Sequence, residues 1–327
     1  MNKKIAAGVL LSAVLVYLSV RGIDFGKVAE GLHAVRGGYV LIFLTIILIM
    51  QWLRSVRWGL MLSPLERVDQ LSLFSVTSVG FMAITALPAR LGELARPYLI
   101  TRKSRIKMPA ALGTILVERV FDSIAVLLIF AAVLTSTPAL PPWLITSAVI
   151  VFGVTMAMLA VMIVMPARRD ASLSVLNALV NRLPVRFAGK LRAMLHHLLD
   201  GFAIFRHAKQ LLMVCLLSLA IWIIDILAVY SLFLAFDFRL SIMAATVSVI
   251  ILLIGIAIPT APGFIGNWHY ACIVGLTLFG IPRAEALSFA IIYHFLSIGI
   301  ILILGLIFLP FNKFSLLELK REAAAGQ

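Results

Sequence analysis

The sequence has 327 residues, of which 62% are hydrophobic and 13% are charged, and its mean hydropathy is +1.10. These values exclude a soluble globular fold, because a soluble protein of this length exposes far more charged side chains. The sequence therefore predicts an all-α polytopic membrane protein. Its two cysteines, Cys215 and Cys272, lie in apolar stretches without metal-ligand neighbours, so we predict no disulfide, no metal site and no cofactor.

Six apolar stretches are long enough to cross a bilayer, since about 20 residues of helix span its hydrocarbon core. In chain order, full transmembrane helices are predicted for residues 5 to 20, 37 to 62, 108 to 134, 143 to 165, 210 to 235 and 286 to 310. Two longer features, 70 to 100 and 240 to 282, each contain one break and are predicted to be broken or re-entrant helical hairpins. The expected architecture is about six full spans plus these two hairpins.

The two breaks share a Pro-x-x-x-Gly spacing, with Pro88 and Gly92 in the first break and Pro262 and Gly266 in the second. The second break also contains Pro259 and Gly263. Proline removes a backbone donor and glycine loosens the chain, so such segments persist inside a membrane only where protein or a water-filled cavity satisfies the freed polar groups. We therefore predict that both breaks form walls of a substrate site.

Basic residues in the loops orient the chain, because Lys and Arg stay preferentially on the cytoplasmic side. Residues 96 to 107 contain five basic and no acidic side chains, and residues 166 to 209 carry a net charge of +6. Both stretches, and both chain termini, are predicted to be cytoplasmic in a multi-pass protein of the cell inner (cytoplasmic) membrane. Hairpin 70 to 100 then enters from the cytoplasmic side and hairpin 240 to 282 from the outer side.

Oppositely oriented broken elements in the two halves indicate an inverted-repeat transporter with its substrate near the membrane midplane. The predicted units are an N-terminal membrane repeat, an interfacial linker, a C-terminal membrane repeat and a cytoplasmic tail, at residues 1–165, 166–209, 210–312 and 313–327. The linker has apolar residues at helical spacing opposite basic ones, which predicts an amphipathic helix lying in the interface plane.

Charged residues cluster after the first break and in the helix that follows it. Burying one charge in a membrane costs about 3 kcal/mol on insertion scales, so each needs a partner or a function. Glu118 and Asp122 are four residues apart and share one helical face, where an arginine of the broken segment could neutralise them. Whether this network only locks the fold, or also binds a head group or relays a proton, stays open. The candidate substrate-binding residues here are Arg90, Glu93, Arg96, Glu118, Arg119 and Asp122.

Arg54 and Arg57 lie at the predicted cytoplasmic end of the second span, beside two tryptophans. Snorkelling and an aromatic belt account for them. The alternative is that the two guanidinium groups bind phosphate at a cytoplasmic mouth. Three isolated polar groups of the second half are predicted to make interhelical hydrogen bonds: Asp225, Tyr293 and His294.

The second break continues into Asn267, Trp268 and His269, which present an amide, an indole and an imidazole within one helical turn. A half-helix that begins there would direct its positive end at an anionic group. These three residues are candidate substrate ligands. An interfacial aromatic cluster is an equal alternative.

Three motifs give the chain a resemblance to a known family: L-P-x-R-x-G-E-x-x-R at 87 to 96, E-R-x-x-D at 118 to 122 and P-G-x-x-G at 262 to 266. The chain resembles, through essentially its whole length, the lysylphosphatidylglycerol synthase transmembrane family, a flippase-like membrane region. The resemblance implies movement of aminoacylated or glycosylated lipids across the bilayer. The soluble aminoacyl-transferase domain of the bifunctional members has no counterpart in the sequence, so synthesis of lysyl-lipid is not expected. Family members often have a second glycine and a glutamate where this chain has Phe264 and His269, a departure that bears on the substrate or the coupling ion.

The leading hypothesis is a lipid translocator for a lipid with an anionic, aminoacylated or glycosylated head group. One alternative is a membrane-embedded lipid-modifying transferase with Glu93 or His269 as general base, and another is a non-transporting partner in an envelope-lipid complex. The sequence offers no nucleophile-base set and no nucleotide motif, so an enzyme is not predicted. The expected partners are membrane lipids and no nucleic acid, while a homo-oligomer and association with envelope-lipid synthesis enzymes stay open.

Overall fold

The computed structural model describes residues 3–87, 92–135, 141–181, 185–258 and 260–312. The secondary structure of these residues is helical throughout, which confirms the predicted all-α class. Pro88, Arg90, Pro259 and the tail 313–327 lie outside the described residues. The α-helices are α1 (Lys3–Val20), α2 (Phe25–His33), α3 (Gly37–Leu62), α4 (Gln70–Ala86), α5 (Ala95–Thr101), α6 (Met108–Leu134), α7 (Pro142–Ala167), α8 (Arg169–Val180), α9 (Val185–Asp200), α10 (Ala208–Ala235), α11 (Ile242–Ala257), α12 (Asn267–Thr277) and α13 (Arg283–Phe308).

Four helices in the described part of the chain, α3, α7, α10 and α13, are long and apolar enough to cross a membrane. They correspond to four of the six predicted full spans. α6 has a similar length, but Glu118, Arg119 and Asp122 interrupt its apolar sequence. The part Gly8–Val20 of α1 gives a fifth candidate when it is joined to α2, from which it is bent by 86°. On length and composition, four or five of the described helices therefore qualify as spans, against the six predicted.

The first broken feature folds as a hairpin of α4 and α5 that begins and ends on one side of the molecule. Asp69 caps α4 by accepting a hydrogen bond of 2.8 Å from the backbone N–H of Ser72, and this bond lowers the pKa of the Asp69 carboxyl. The backbone N–H of Arg105 donates to the carboxylate of Glu66 at 2.7 Å, which ties the two ends of the hairpin together. α5 is only about 10 Å long, too short to cross a bilayer. We call this side, formed by residues 63–69, 102–107, 166–181 and 185–207, the basic face.

The second broken feature, α11 and α12, begins and ends on the opposite face. There Phe238 precedes α11 and packs on Phe289 near the start of α13, with ring centroids 6.0 Å apart. The break between the two helices has left-handed backbone at Gly263 (φ 72°), Phe264 (φ 57°) and Gly266 (φ 93°), a conformation that glycine adopts at least cost. The two hairpins thus enter the molecule from opposite faces.

α1 lies against the second break and pairs part of its backbone. The backbone N–H of Ala261 donates to the hydroxyl of Ser12 at 2.8 Å. Close by, the guanidinium of Arg283 donates to the carbonyl oxygen of Leu18 at 2.7 Å. A donor freed by the break is therefore satisfied by protein, as an irregular segment at membrane depth requires.

Helix packing relates the two halves of the chain. α3 packs against α10, and α4 packs against α5 as α11 packs against α12. α4 also packs against α13, and α11 against α6, so that each hairpin packs against the long helix that follows the hairpin of the other half. An inverted repeat would produce this exchange. The repeat boundaries at 1–165 and 210–312 stay predictions.

The linker contains α8 and α9, and α9 is packed tightly on the start of α6. The contact is a crossing at two glycines. A Cβ atom at Gly113 of α6 would lie 2.6 Å from the carbonyl oxygen of Leu198, and one at Gly201 would lie 2.3 Å from that of Ala110. Any larger residue would separate the two segments, so α9 is fixed to the helical core.

Candidate functional site

A cavity of about 360 Å³ lies between the two broken hairpins. Its wall includes Glu93, which follows the first break, and Phe264 and Trp268, which lie in and after the second. Much of the remaining lining is apolar and comes from the long helices. The charged side chains that face the cavity are Arg54, Arg57, Glu93, Glu118, Arg119, Asp122 and Asp225. The cavity therefore brings both breaks and the buried charges of the chain to one place.

An ion-pair network connects α3, α5 and α6 beside this cavity. The guanidinium of Arg96 binds Glu118 through two nearly equal hydrogen bonds of 3.1 and 3.0 Å. Arg57 pairs with Glu118 at 3.1 Å and with Asp122. Arg57 and Arg96 are each 1% exposed. The four-residue spacing of Glu118 and Asp122 places both carboxylates on the same face of α6, where the two arginines converge.

Two α10 side chains complete the network. The Arg57 guanidinium donates to the hydroxyl of Ser218 at 2.8 Å. The indole N–H of Trp222 donates to a carboxylate oxygen of Asp122 at 3.1 Å. Arg57 is thus buried in an interior network. It does not extend to the membrane interface, as the predicted snorkelling position would require.

The Arg96 side chain fits closely between Trp58 and Gly80, and we call this position the Arg96 seat. Its guanidinium carbon lies 4.3 Å from the ring centroid of Trp58, a cation–π distance. Its stem crosses α4 at Gly80, where a Cβ atom would lie 2.1 Å from the Cγ atom of Arg96. Only a residue without a side chain leaves room for this arginine to reach Glu118.

We expect Gly80→Ala to lower the stability of the folded protein by about 1–3 kcal/mol, because overpacking at this point displaces Arg96 from Glu118. Thermal unfolding of the detergent-purified protein measures the effect. Gly38→Ala is the matched control, since a Cβ atom at Gly38 meets nothing within 4 Å. A melting temperature of Gly80→Ala equal to that of Gly38→Ala would show that the Arg96 seat is not tight.

Three charged groups of the cavity lie outside the ion-pair network. Arg54, Arg119 and Asp225 face the cavity, and none of them makes a hydrogen bond or an ion pair with another described residue. The guanidinium carbon of Arg54 lies 5.0 Å from the ring centroid of Phe81, so its N–H donors stay available. Arg119 is exposed, while Arg54 and Asp225 are partly buried. These groups can bind a polar ligand without dismantling the network.

The second break contributes to the cavity mainly through Trp268, whose ring lies edge-on to Tyr293 at 5.0 Å. The side-chain amide of Asn267 instead donates to the carbonyl oxygens of Gly255 and Ile258 at 3.1 and 3.3 Å, which joins the end of α11 to the start of α12. The ring of His269 packs on another histidine and is absent from the cavity wall.

His294 holds the second break from α13. Its Nε2 atom lies 2.6 Å from the carbonyl oxygen of Gly263, and its ring centroid is 4.8 Å from that of His269. Pro262 and Gly263 form the short turn that this contact restrains, and Gly266 precedes the first residue of α12. In the first break, a Cβ atom at Gly92 would lie 2.2 Å from the carbonyl carbon of Ala83, so α4 and the returning chain touch through backbone.

Sequence reasoning treated Asp225 as an interhelical hydrogen-bonding residue, whereas the structure places it in the cavity. It also did not identify Ser218 and Trp222 as partners of the network. A signal for Asp225 was present, since α10 contains no other acidic residue. No sequence signal indicated that α10 would lie across α3 and α6.

The whole chain was compared with known proteins. The family model described as "Lysylphosphatidylglycerol synthase TM region" matches residues 5–305. A UPF0104 membrane protein of Methanothermobacter thermautotrophicus is 24% identical over 97% of this chain and 98% of the relative. A UPF0104 membrane protein of Methanocaldococcus jannaschii is 28% identical over 68% of this chain and 90% of the relative. No solved structure matches the chain at a significant level.

The names of these relatives describe membrane proteins and assign no catalytic activity. The family match extends over both broken hairpins and all the charged cavity residues named above. The chain therefore belongs to the lysylphosphatidylglycerol synthase transmembrane family.

Proposed function

We propose that the protein translocates a lipid across the cytoplasmic membrane by holding its polar head group in the central cavity while the acyl chains stay in the bilayer. The observation that carries this proposal is a cavity between two oppositely directed hairpins, where Arg54, Arg119 and Asp225 make no hydrogen bond or ion pair with another described residue. Such groups are costly in a membrane unless a ligand or water meets them.

The chemistry of these groups defines the head group. The guanidinium groups of Arg54 and Arg119 suit the oxygens of a phosphate. The carboxylate of Asp225 suits an ammonium or hydroxyl group. A phospholipid or glycolipid whose head combines phosphate with an amine or a sugar hydroxyl satisfies both, which covers anionic, aminoacylated and glycosylated lipids.

Movement of the two halves relative to each other would expose the cavity to each side in turn. We propose that the basic face is cytoplasmic, since it carries the excess of Lys and Arg, and that both termini lie on that side. Arg119, as the exposed cavity residue on α6, is then placed where an incoming head group first meets the site. The ion-pair network next to it supplies a fixed wall.

Purified protein in liposomes tests this function. A panel of fluorescent lipids with identical acyl chains and different head groups is incorporated, and the fraction accessible to a membrane-impermeant quencher is followed. We expect faster leaflet redistribution of lipids with a phosphate plus an amine or hydroxyl head, with every lipid chemically unchanged. Liposomes with denatured protein give the background rate. Redistribution at the background rate for the whole panel contradicts translocation, and a new lipid species in the extract would show a transferase instead.

A further inference from the structure

A second site lies away from the central cavity, at the basic face. A basin of about 720 Å³ opens there between the turn after α3, the start of α6 and the ends of α7 and α9. Two acidic residues, Glu66 and Asp200, also line it. Basic side chains outnumber them, and those in the wall are Arg105, Lys107, Arg169, His197 and Arg206.

Both acidic groups of the basin already have partners. Asp200 binds Arg169 at 2.7 Å and lies 3.4 Å from the ring nitrogen of His197. Glu66 accepts the backbone N–H of Arg105. The guanidinium of Arg105 and the ammonium of Lys107 make no hydrogen bond or ion pair with another described residue. The basin therefore presents cationic groups that are available to an anion.

Two apolar hollows lead away from this basin, the first beside α7 between α6 and α9 and the second along the seam between α6 and α7. The first, of about 350 Å³, has a wholly apolar wall that includes Leu116 and Ala157, and it shares Leu199 with the basin. The second, of about 370 Å³, includes Met156, the residue next to Ala157 in α7. Its wall also includes Leu128 of α6. The hollows follow each other along the seam and have the shape and polarity of an acyl-chain track.

The relative position of basin and track is fixed. The close crossing of Gly113 and Gly201 holds the end of α9 against α6, and α9 contributes Leu199 to both walls. The walls of the basin and of the two hollows share no residue with the wall of the central cavity. The site is therefore separate from the central cavity.

We propose that the basin and the seam together bind one anionic phospholipid, with its phosphate on Arg105 and Lys107 and an acyl chain in the α6–α7 track. Charge complementarity selects the head group, and the apolar wall selects a lipid over a soluble anion. This lipid is a resident component of the protein and not the transported substrate. It fills the seam beside α7, whose best membrane-spanning stretch is only 11% buried by the rest of the chain.

Two variants and two matched controls test the assignment. The basin variant combines Arg105→Gln with Lys107→Gln, and its control is Lys190→Gln, which removes an exposed charge of α9 outside the basin. The seam variant is Ala157→Trp, and its control is Ala160→Trp, an exposed position that lines neither hollow. Native mass spectrometry measures binding of phosphatidic acid and of phosphatidylcholine with identical acyl chains, and glycerol 3-phosphate serves as the soluble competitor.

We expect the wild type to bind phosphatidic acid more tightly than it binds phosphatidylcholine. We expect the affinity for phosphatidic acid to fall roughly tenfold or more in the basin variant and in the seam variant. Both controls, and Asp237→Asn at the exposed Arg36–Asp237 ion pair, should keep wild-type affinity. Lys107→Arg should also keep wild-type affinity, because it retains the positive charge. Weaker binding by the basin variant can then be attributed to the lost charge and not to misfolding.

Three outcomes would overturn the proposal. Equal affinity of the wild type for the two lipids removes the anionic selection. Retained binding in the seam variant, with displacement by glycerol 3-phosphate, identifies a soluble-anion site instead. Unchanged binding in the basin variant shows that the head group lies elsewhere. None of these outcomes depends on translocation, so the central-cavity proposal can stand or fail separately.

Discussion

Replacement of Glu118 by glutamine is expected to lower the free energy of unfolding by about 3–5 kcal/mol, because it leaves two buried arginines without their shared carboxylate. Arg57 and Arg96 are each 1% exposed and both bind Glu118. Neither guanidinium can lose its charge to relieve the burial. Thermal unfolding in detergent, followed by the loss of monodisperse protein on size-exclusion chromatography, measures the effect.

Glu66→Gln is the control for this prediction. Glu66 is a partly exposed glutamate that accepts a backbone hydrogen bond from Arg105, so we expect its replacement to cost about 0.5–1.5 kcal/mol. Adding Arg96→Gln to Glu118→Gln should recover part of the loss, since one uncompensated charge is removed. Two results together would contradict the prediction: a wild-type melting temperature for Glu118→Gln, and a lower one for the double variant. They would show that the ion-pair network does not stabilise the contact between α5 and α6.

The second large effect is expected for Asp225→Asn, which should reduce lipid redistribution in liposomes roughly 10-fold to 100-fold while leaving the folded protein intact. The carboxylate of Asp225 faces the cavity without a hydrogen bond or ion pair to a described residue. Under the proposed function, its removal breaks a contact with the head group and no hydrogen bond or ion pair with a described residue. Arg54→Gln should act in the same direction, through the phosphate of the head group.

Asp237→Asn provides the matched control, because Asp237 pairs with Arg36 at 3.1 Å where both side chains are well exposed to solvent. It should redistribute lipid at the wild-type rate. Melting temperatures of all three variants establish that they are folded. Wild-type redistribution by folded Asp225→Asn and folded Arg54→Gln would place the head group outside the cavity.

The predicted association of the first break with the carboxylates of α6 could be made from sequence because it needs only local information. The spacing of Glu118 and Asp122 fixes a shared face once α6 is helical, and a buried carboxylate pair requires an arginine. Arg96 supplies it. The all-α membrane class follows in the same way from composition alone.

Arg57 shows where sequence reasoning stops. Near the end of an apolar helix and beside tryptophans, it has the pattern of a snorkelling residue, and only the packing of α3 on α10 turns it inward. Asn267 shows a different case: its position at a helix start predicts a ligand, while in the structure its amide donates to the backbone of Gly255 and Ile258. The burial of Arg57 depends on helices distant in sequence, and the bonds of Asn267 depend on how the second break folds back on α11, and neither is encoded in a local spacing.

The contact between Ser12 and Ala261 places a constraint on the order of biosynthesis. α1 is synthesised before the second break, and the backbone N–H that donates to its Ser12 hydroxyl lies 249 residues further along the chain. α1 must therefore stay free to pack against the second hairpin until that hairpin has been made. In a nascent chain arrested before Ala261, the Ser12 hydroxyl would lack its donor. Packing of α1 can therefore be completed only after the second break has been made.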